Sequence, residues 1–91
     1  MEFEWNPEKA KTSFKKHDVS FEEASTVFND LNLITFLDKK HSIDEDRYIT
    51  IGISRQSRLL MVAHTEREDK IRIISARKAT QNEQKIYAEG L

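Results

Sequence analysis

Cysteine is absent from this 91-residue chain, which excludes disulfides, thiolate metal sites and a cysteine nucleophile, and suits a reducing compartment. Proline occurs once and glycine twice, so there is little material for flexible linkers, and a single domain over residues 1–91 is expected. No apolar run approaches the roughly 18 residues that a membrane span needs. Met1-Glu2-Phe3-Glu4-Trp5 also lacks the basic and apolar regions of a secretory signal, so a cytoplasmic location is the expectation. A Gly-rich phosphate loop, paired histidines at metal-ligand spacing and a nucleophile elbow are all missing, which leads us to expect neither metal nor cofactor.

The net charge of −1 conceals a division along the chain. Residues 1–46 carry six lysines against eleven carboxylates, a net of −5, whereas residues 47–78 carry eight basic groups against three acidic ones, a net of +5. Every arginine lies in that second segment. Because the planar guanidinium fork matches phosphate, the segregation points to a polyanion or an acidic partner. A strand surface carrying solubilising charge is the plainer reading.

Phe3-Glu4-Trp5 alternates as a short strand, and Asn6-Pro7-Glu8 supplies an N-cap, a proline at the first helical position and a first-turn carboxylate. A surface helix over Pro7 to Lys16, ending near Asp18, follows from the narrow stripe of Ala10 and Phe14. Ser20 and Glu23 read as a capping box for a second helix that buries Phe21, Ala24, Val27 and Phe28. From Leu33 the period becomes extended, giving a strand to Leu37 and a polar loop over Asp38 to Asp46. Strands are then expected over Arg47 to Ser54, Arg58 to Glu66 and Lys70 to Ala76, with Ile71 and Ile73 on one side of the last and Arg72 and Ile74 on the other. Thr80 and Glu83 form a second capping box before a terminal helix. The elements sum to an α+β fold: an N-terminal strand, two helices, a four-stranded antiparallel meander and a C-terminal helix. The helices should cover one sheet face, leaving the other to water or a ligand.

The side chains suited to chemistry are arginines, histidines and hydroxyls on or beside the strands. RNA can be cleaved by its own 2′-hydroxyl, so a protein need only orient the backbone, move protons and stabilise added negative charge. We take Arg47, His64 and Arg77 as candidate catalytic residues, and Arg67, Arg72, Ser75 and Lys78 as candidate substrate-binding residues. Each has a second reading. Arg47 can be a surface ion pair after Asp44-Glu45-Asp46, and His64 a structural histidine. Arg72 interrupts an apolar run and needs open solvent or an anion, while Arg77 and Lys78 can be a solvated turn. His17 reads as a helix C-terminal charge partner and His41 as a loop residue. Trp5, Phe14, Phe21 and Phe28 have core spacing, and Tyr48 and Tyr87 fit either stacking on a base or capping the core.

Several segments together carry a family likeness: Trp5-Asn6-Pro7, Lys16 to Ala24, Glu45-Asp46-Arg47-Tyr48 with Ile51-Gly52, and Val62 to Arg67. To these are added Ile71-Arg72-Ile73-Ile74-Ser75-Ala76-Arg77 and Ala79-Thr80 with Glu83 and Tyr87. In this order and spacing, over nearly the whole chain, they resemble the BrnT toxins. Asn6 stands where that family usually has Asp, and Asp18 where it usually has Gly; both keep the local capping chemistry. The resemblance implies a RelE-like fold, an endoribonuclease that blocks translation and a cognate ribbon-helix-helix antitoxin (BrnA-like). DNA would be contacted only through the toxin-antitoxin complex. The alternative is a non-catalytic partner of a DNA-binding antitoxin that acts in autoregulation. A free-standing nucleic-acid-binding domain would need a salt-sensitive affinity of its own.

Overall fold

The computed structural model describes residues 1–90. Strand β1 (Glu2–Glu4) leads into helix α1 (Pro7–His17), helix α2 (Phe21–Thr26) and a 3₁₀ turn at Val27–Asn29. Strand β2 (Ile34–Leu37), a 3₁₀ turn at Lys39–His41, strands β3 (Tyr48–Ile53), β4 (Leu59–Arg67) and β5 (Lys70–Lys78), and helix α3 (Gln81–Glu89) complete it. The sheet order is β1-β5-β4-β3-β2. The last four strands form the expected antiparallel meander, and β1 adds to β5 in parallel, pairing Phe3 with Ile71 and Glu4 with Arg72. No helix of the described residues is long and apolar enough to cross a membrane.

The helix ends follow from local chemistry. Asn6 Oδ1 accepts from the amides of Glu8 at 2.8 Å and Lys9 at 3.2 Å, with Pro7 at the first helical position, and Asp18 closes α1 in the left-handed conformation at φ 59°. The Thr80–Glu83 capping box forms in full. The one at Ser20 forms by half: the Ser20 hydroxyl accepts from the Glu23 amide at 2.9 Å, but the Glu23 carboxylate turns instead to Arg58 and Ser54. A buried ion pair outcompetes a terminal amide for that carboxylate.

Leu60 and Val62 of β4, and Ile71, Ile73 and Ala76 of β5, meet Val19, Phe21, Ala24 and Val27 in one core, with Trp5 edge-on to Phe21 at 6.0 Å. On β3, Gly52 permits the close approach of the first 3₁₀ turn, since a Cβ there would lie 2.8 Å from Val27 Cγ1. The expectation that helices cover one face alone needs correction. Ile51, Met61 and Tyr87 are buried outside this core, Gly90 at the end of α3 abuts Ile34, and Arg77 reaches Glu83 of α3. Helix α3 therefore covers part of the second, outer face.

A β-bulge sets the faces of β5. Ala63 pairs with Ser75, but His64 pairs with Ile73, so Ile74 is an extra residue. Strict alternation from Ile71 would send Ser75 and Arg77 to the α1–α2 core. The bulge turns Arg77 outward, so Arg72 and Arg77 share the outer face while Ala76 and Lys78 rejoin the helix side.

Glu68 and Asp69 connect β4 and β5 with φ of 49° and 68°. Positive φ at both positions suits the sheet twist, yet it disfavours residues with a Cβ. Asp69→Gly is expected to raise the unfolding free energy by about 0.5 to 1 kcal/mol, net of the extra chain entropy glycine loses. An unchanged or lowered urea midpoint would show that the strain is relieved elsewhere.

Candidate functional site

The outer face gathers most of the arginines singled out above. Alternation from Ala63 puts Thr65 and Arg67 of β4 outward, opposite Arg72 and Lys70 of β5, with Glu4 of β1 beside Arg72. Arg47 stands immediately before β3, at the end of the loop that crosses from β2. These groups form a mesh of opposite charges. Arg67 donates to Glu45 through Nε at 3.2 Å and Nη2 at 2.6 Å, and Arg72 Nη1 donates to Glu4 at 2.8 Å. Among the described residues, the Arg47 side chain makes no ion pair.

Glu45 is the centre of this arrangement. The hydrogen bond from Arg67 holds its carboxyl below the ordinary carboxylate range, and the positive charges of Arg67, Arg47 and Arg72 add to the effect. Arg67 is stabilised as a cation by the same bond, and it feels Glu4 as well. Three guanidinium groups from three chain segments thus act on one exposed carboxylate. Beside it lies a cavity of about 240 Å³ lined by His41, Ile43, Asp44, Glu45, Arg47 and Thr65. Thr65 is buried there, and its hydroxyl has no hydrogen-bond partner among the described residues.

Arg77 shares the face but sits farther along β5, paired in fork geometry with Glu83 of α3 at 2.7 and 2.9 Å. Burial pushes the Glu83 carboxyl up, but bonds from Arg77 and the Thr80 amide outweigh it and hold the group low. Ser75 lines a separate depression against α1, with Lys9, Lys16 and His17. Another depression, about 550 Å³, lies by Asp30, Leu31, Ile53 and Tyr87; among the described residues Arg55 is the one cation on its wall. Tyr87 donates to Asp30 at 2.6 Å, which pushes its hydroxyl pKa up to about 12 and makes it a packing residue.

Two of the singled-out residues are on the other side of the sheet. His64 is 3% exposed, with Nε2 2.7 Å from the Thr50 hydroxyl, Phe28 edge-on at 5.0 Å and Tyr48 stacked at 5.8 Å. Burial lowers its pKa to about 4, so it is neutral at pH 7. The reason for its separation is alternation: one residue before Thr65, it must face the helices. Lys78 pairs with Leu60 on that side and contributes positive charge near Glu23.

His41, read from the sequence as a loop residue, lines the same cavity as Glu45. His41 Nδ1 is 2.8 Å from Asp38 Oδ2, and the ring lines the cavity with Arg47 and Glu45. The available signal was the Asp38-x-x-His41 spacing in a turn, a pattern too short to stand out in a polar loop. Among the described residues, no group of three His, Asp or Glu side chains is placed to hold a metal ion.

Residues 5–83 match the family described as "Ribonuclease toxin, BrnT, of type II toxin-antitoxin system". No curated protein matches the chain. Among solved structures, the crystal structure of the Brucella abortus ribonuclease toxin BrnT is similar, with a TM-score of 0.69 and 23% identity, covering 89% of this chain and 99% of that one. At that identity the likeness bears on the fold.

Proposed function

Since the chain belongs to the BrnT family of ribonuclease toxins of type II toxin-antitoxin systems, we propose that it cuts RNA, without a metal ion, on the outer sheet face where Arg67 pairs with Glu45 and Arg47 and Arg72 add positive charge. A type II toxin has a cognate protein antitoxin, and a ribonuclease toxin has an RNA substrate. The carrying observation is that Arg67 pairs with Glu45, Arg47 lines the same cavity as that carboxylate, and Arg72 stands beside Thr65 of its wall. A phosphodiester presents the same two-oxygen geometry to Arg67 as Glu45 does, and it can take that carboxylate's place. When the 2′-oxygen adds to phosphorus, the extra negative charge falls among these donors, where fixed cations stabilise it most. Arg77 extends the basic face along β5 for neighbouring phosphates, while Ser75 belongs to the depression against α1. His64 and Lys78, behind the sheet, are outside this proposed site.

Purified protein is expected to cleave RNA in excess EDTA, with or without ribosomes. Arg72→Ala should lower kcat/KM about a hundredfold to a thousandfold, as removal of one transition-state donor does elsewhere. RNA left intact under both conditions would contradict the proposal. We read the antitoxin as a ribbon-helix-helix protein on the family resemblance; the half-exposed Phe36 and Leu37 of edge strand β2 offer apolar surface for such a partner. The second reading, a non-catalytic co-regulator, draws on the fact that Arg67, Arg72 and Arg77 already have carboxylate partners. Expression without the antitoxin separates the two, because a pure binder leaves translation unchanged.

A further inference from the structure

We propose that His41 takes the proton from the RNA 2′-hydroxyl and that Asp38 holds it for that task, an inference that rests on the outer face being the RNA-cleaving site. The sheet divides the three histidines. His64 is buried behind it, and His17 lies at the end of α1 against another depression. His41 alone shares a cavity with Arg47, Glu45 and Thr65.

Its setting is that of an oriented imidazole. Asp38, with its side chain 18% exposed, accepts from Nδ1 at 2.8 Å, while the His41 ring is 54% exposed. A carboxylate on Nδ1 fixes the tautomer that leaves Nε2 free as an acceptor. The turn is also held in place. The Ser42 hydroxyl donates to the carbonyl of Asp38 at 2.7 Å and accepts from the Arg47 amide at 2.9 Å, and the Asp38 amide donates to the Arg47 carbonyl at 2.7 Å. This ties the two ends of the loop, so His41 and Arg47 flank the cavity in fixed relation. The charged groups facing the imidazole are Asp38 on its own turn and Asp44, Glu45 and Arg47 across the cavity; β4 presents Thr65.

In the proposed step, Nε2 of His41 accepts the 2′-hydroxyl proton as the 2′-oxygen bonds to phosphorus. The bond from phosphorus to the 5′-oxygen breaks, and the leaving oxygen takes a proton from water. The products are a 2′,3′-cyclic phosphate and a 5′-hydroxyl end, and the imidazolium returns its proton to solvent. Atoms and charge balance with no co-reactant other than water.

The test compares the parent protein with His41→Ala and Asp38→Asn on an RNA oligonucleotide in EDTA, across pH 5 to 9. The parent is expected to show kcat/KM rising to a plateau, and His41→Ala to lose about a hundredfold and the rising limb together, with partial rescue by free imidazole. Asp38→Asn should lower kcat about tenfold and keep KM, because the imidazole loses the partner that orients it while the arginines that hold the phosphate are untouched. A substrate with 2′-deoxyribose at the cleavage position should bind His41→Ala as tightly as the parent. If His41→Ala keeps the limb, or stays within about threefold of the parent, the assignment to His41 fails while the arginine face stands. A loss of rate without rescue and without change in the limb also overturns it. Should the parent leave RNA intact, both readings fall.

Discussion

Replacing Arg58 with alanine is expected to lower the unfolding free energy by about 3 to 5 kcal/mol, the cost of leaving a buried charge without its partner. Glu23 is 6% exposed, and its carboxylate is held by Arg58 Nε at 2.9 Å, by a second, shorter contact to Arg58 Nη2 and by the Ser54 hydroxyl at 2.7 Å. Arg58 also donates to the Asp18 carbonyl at 2.9 Å, which ties the end of α1 to the start of β4. A domain of this size has a total stability of about 5 to 14 kcal/mol, so the loss is a large fraction of the whole. Urea unfolding followed by circular dichroism measures it. Glu23→Leu combined with Arg58→Met should recover most of the loss, since an apolar pair of similar volume removes both desolvation costs. A single variant within about 1 kcal/mol of the parent would mean that solvent reaches the pair. Arg58 is not among the outer-face arginines, so the molecules that remain folded should cut RNA at the parent rate.

Acid should unfold the protein earlier than its carboxylates alone would require. In the unfolded chain, the His64 imidazole takes up a proton as the pH falls through about 6.5, whereas the folded site resists protonation down to about 4. Between those values the folded state binds fewer protons. Stability is therefore complete above about pH 6.5 and falls on the way to pH 4, by roughly 3 kcal/mol in all. The carboxyls of Glu23, Asp30, Glu45 and Glu83, all held low, withdraw their contributions below about pH 4.5. The slope between pH 6.5 and 5 thus belongs to His64. His64→Phe keeps an aromatic ring between Phe28 and Tyr48, and Thr50 retains its bond to Thr35 at 2.8 Å. That variant should show a flat profile across the same interval in urea melts, and a slope equal to the parent's would assign the acid response to another group.

The parts of the fold that were legible in the sequence are those governed by near neighbours. Asn6 with Pro7, Asp18, and Thr80 with Glu83 announce helix ends because each acts within four residues of itself. The strand periods of β3 to β5 were readable for the same reason. The exceptions are contacts made across the chain. Glu23 abandons its cap for Arg58, which is 35 residues away, and Glu4 meets Arg72, which is 68 residues away. The bulge at Ile74 is invisible because Ile73-Ile74 satisfies either register with the same side chain, yet it decides which way Arg77 faces. The arginines were found by their segregation along the chain. His41 was passed over because a histidine in a polar loop carries no period, and only the folded loop reveals Asp38 at its ring.

The parallel pairing of β1 with β5 has a consequence for a protein that harms the cell making it. Strand β1 finds its place only beside β5, made some 68 residues later, since Phe3 lies against Ile71. Loop closure over that span cannot precede synthesis of its far end. Glu4 therefore waits until Arg72 has been made before it meets its partner. A nascent chain stalled before Lys70 lacks Arg72 and Arg77 and leaves β1 without its neighbour, so the outer face is assembled late in synthesis.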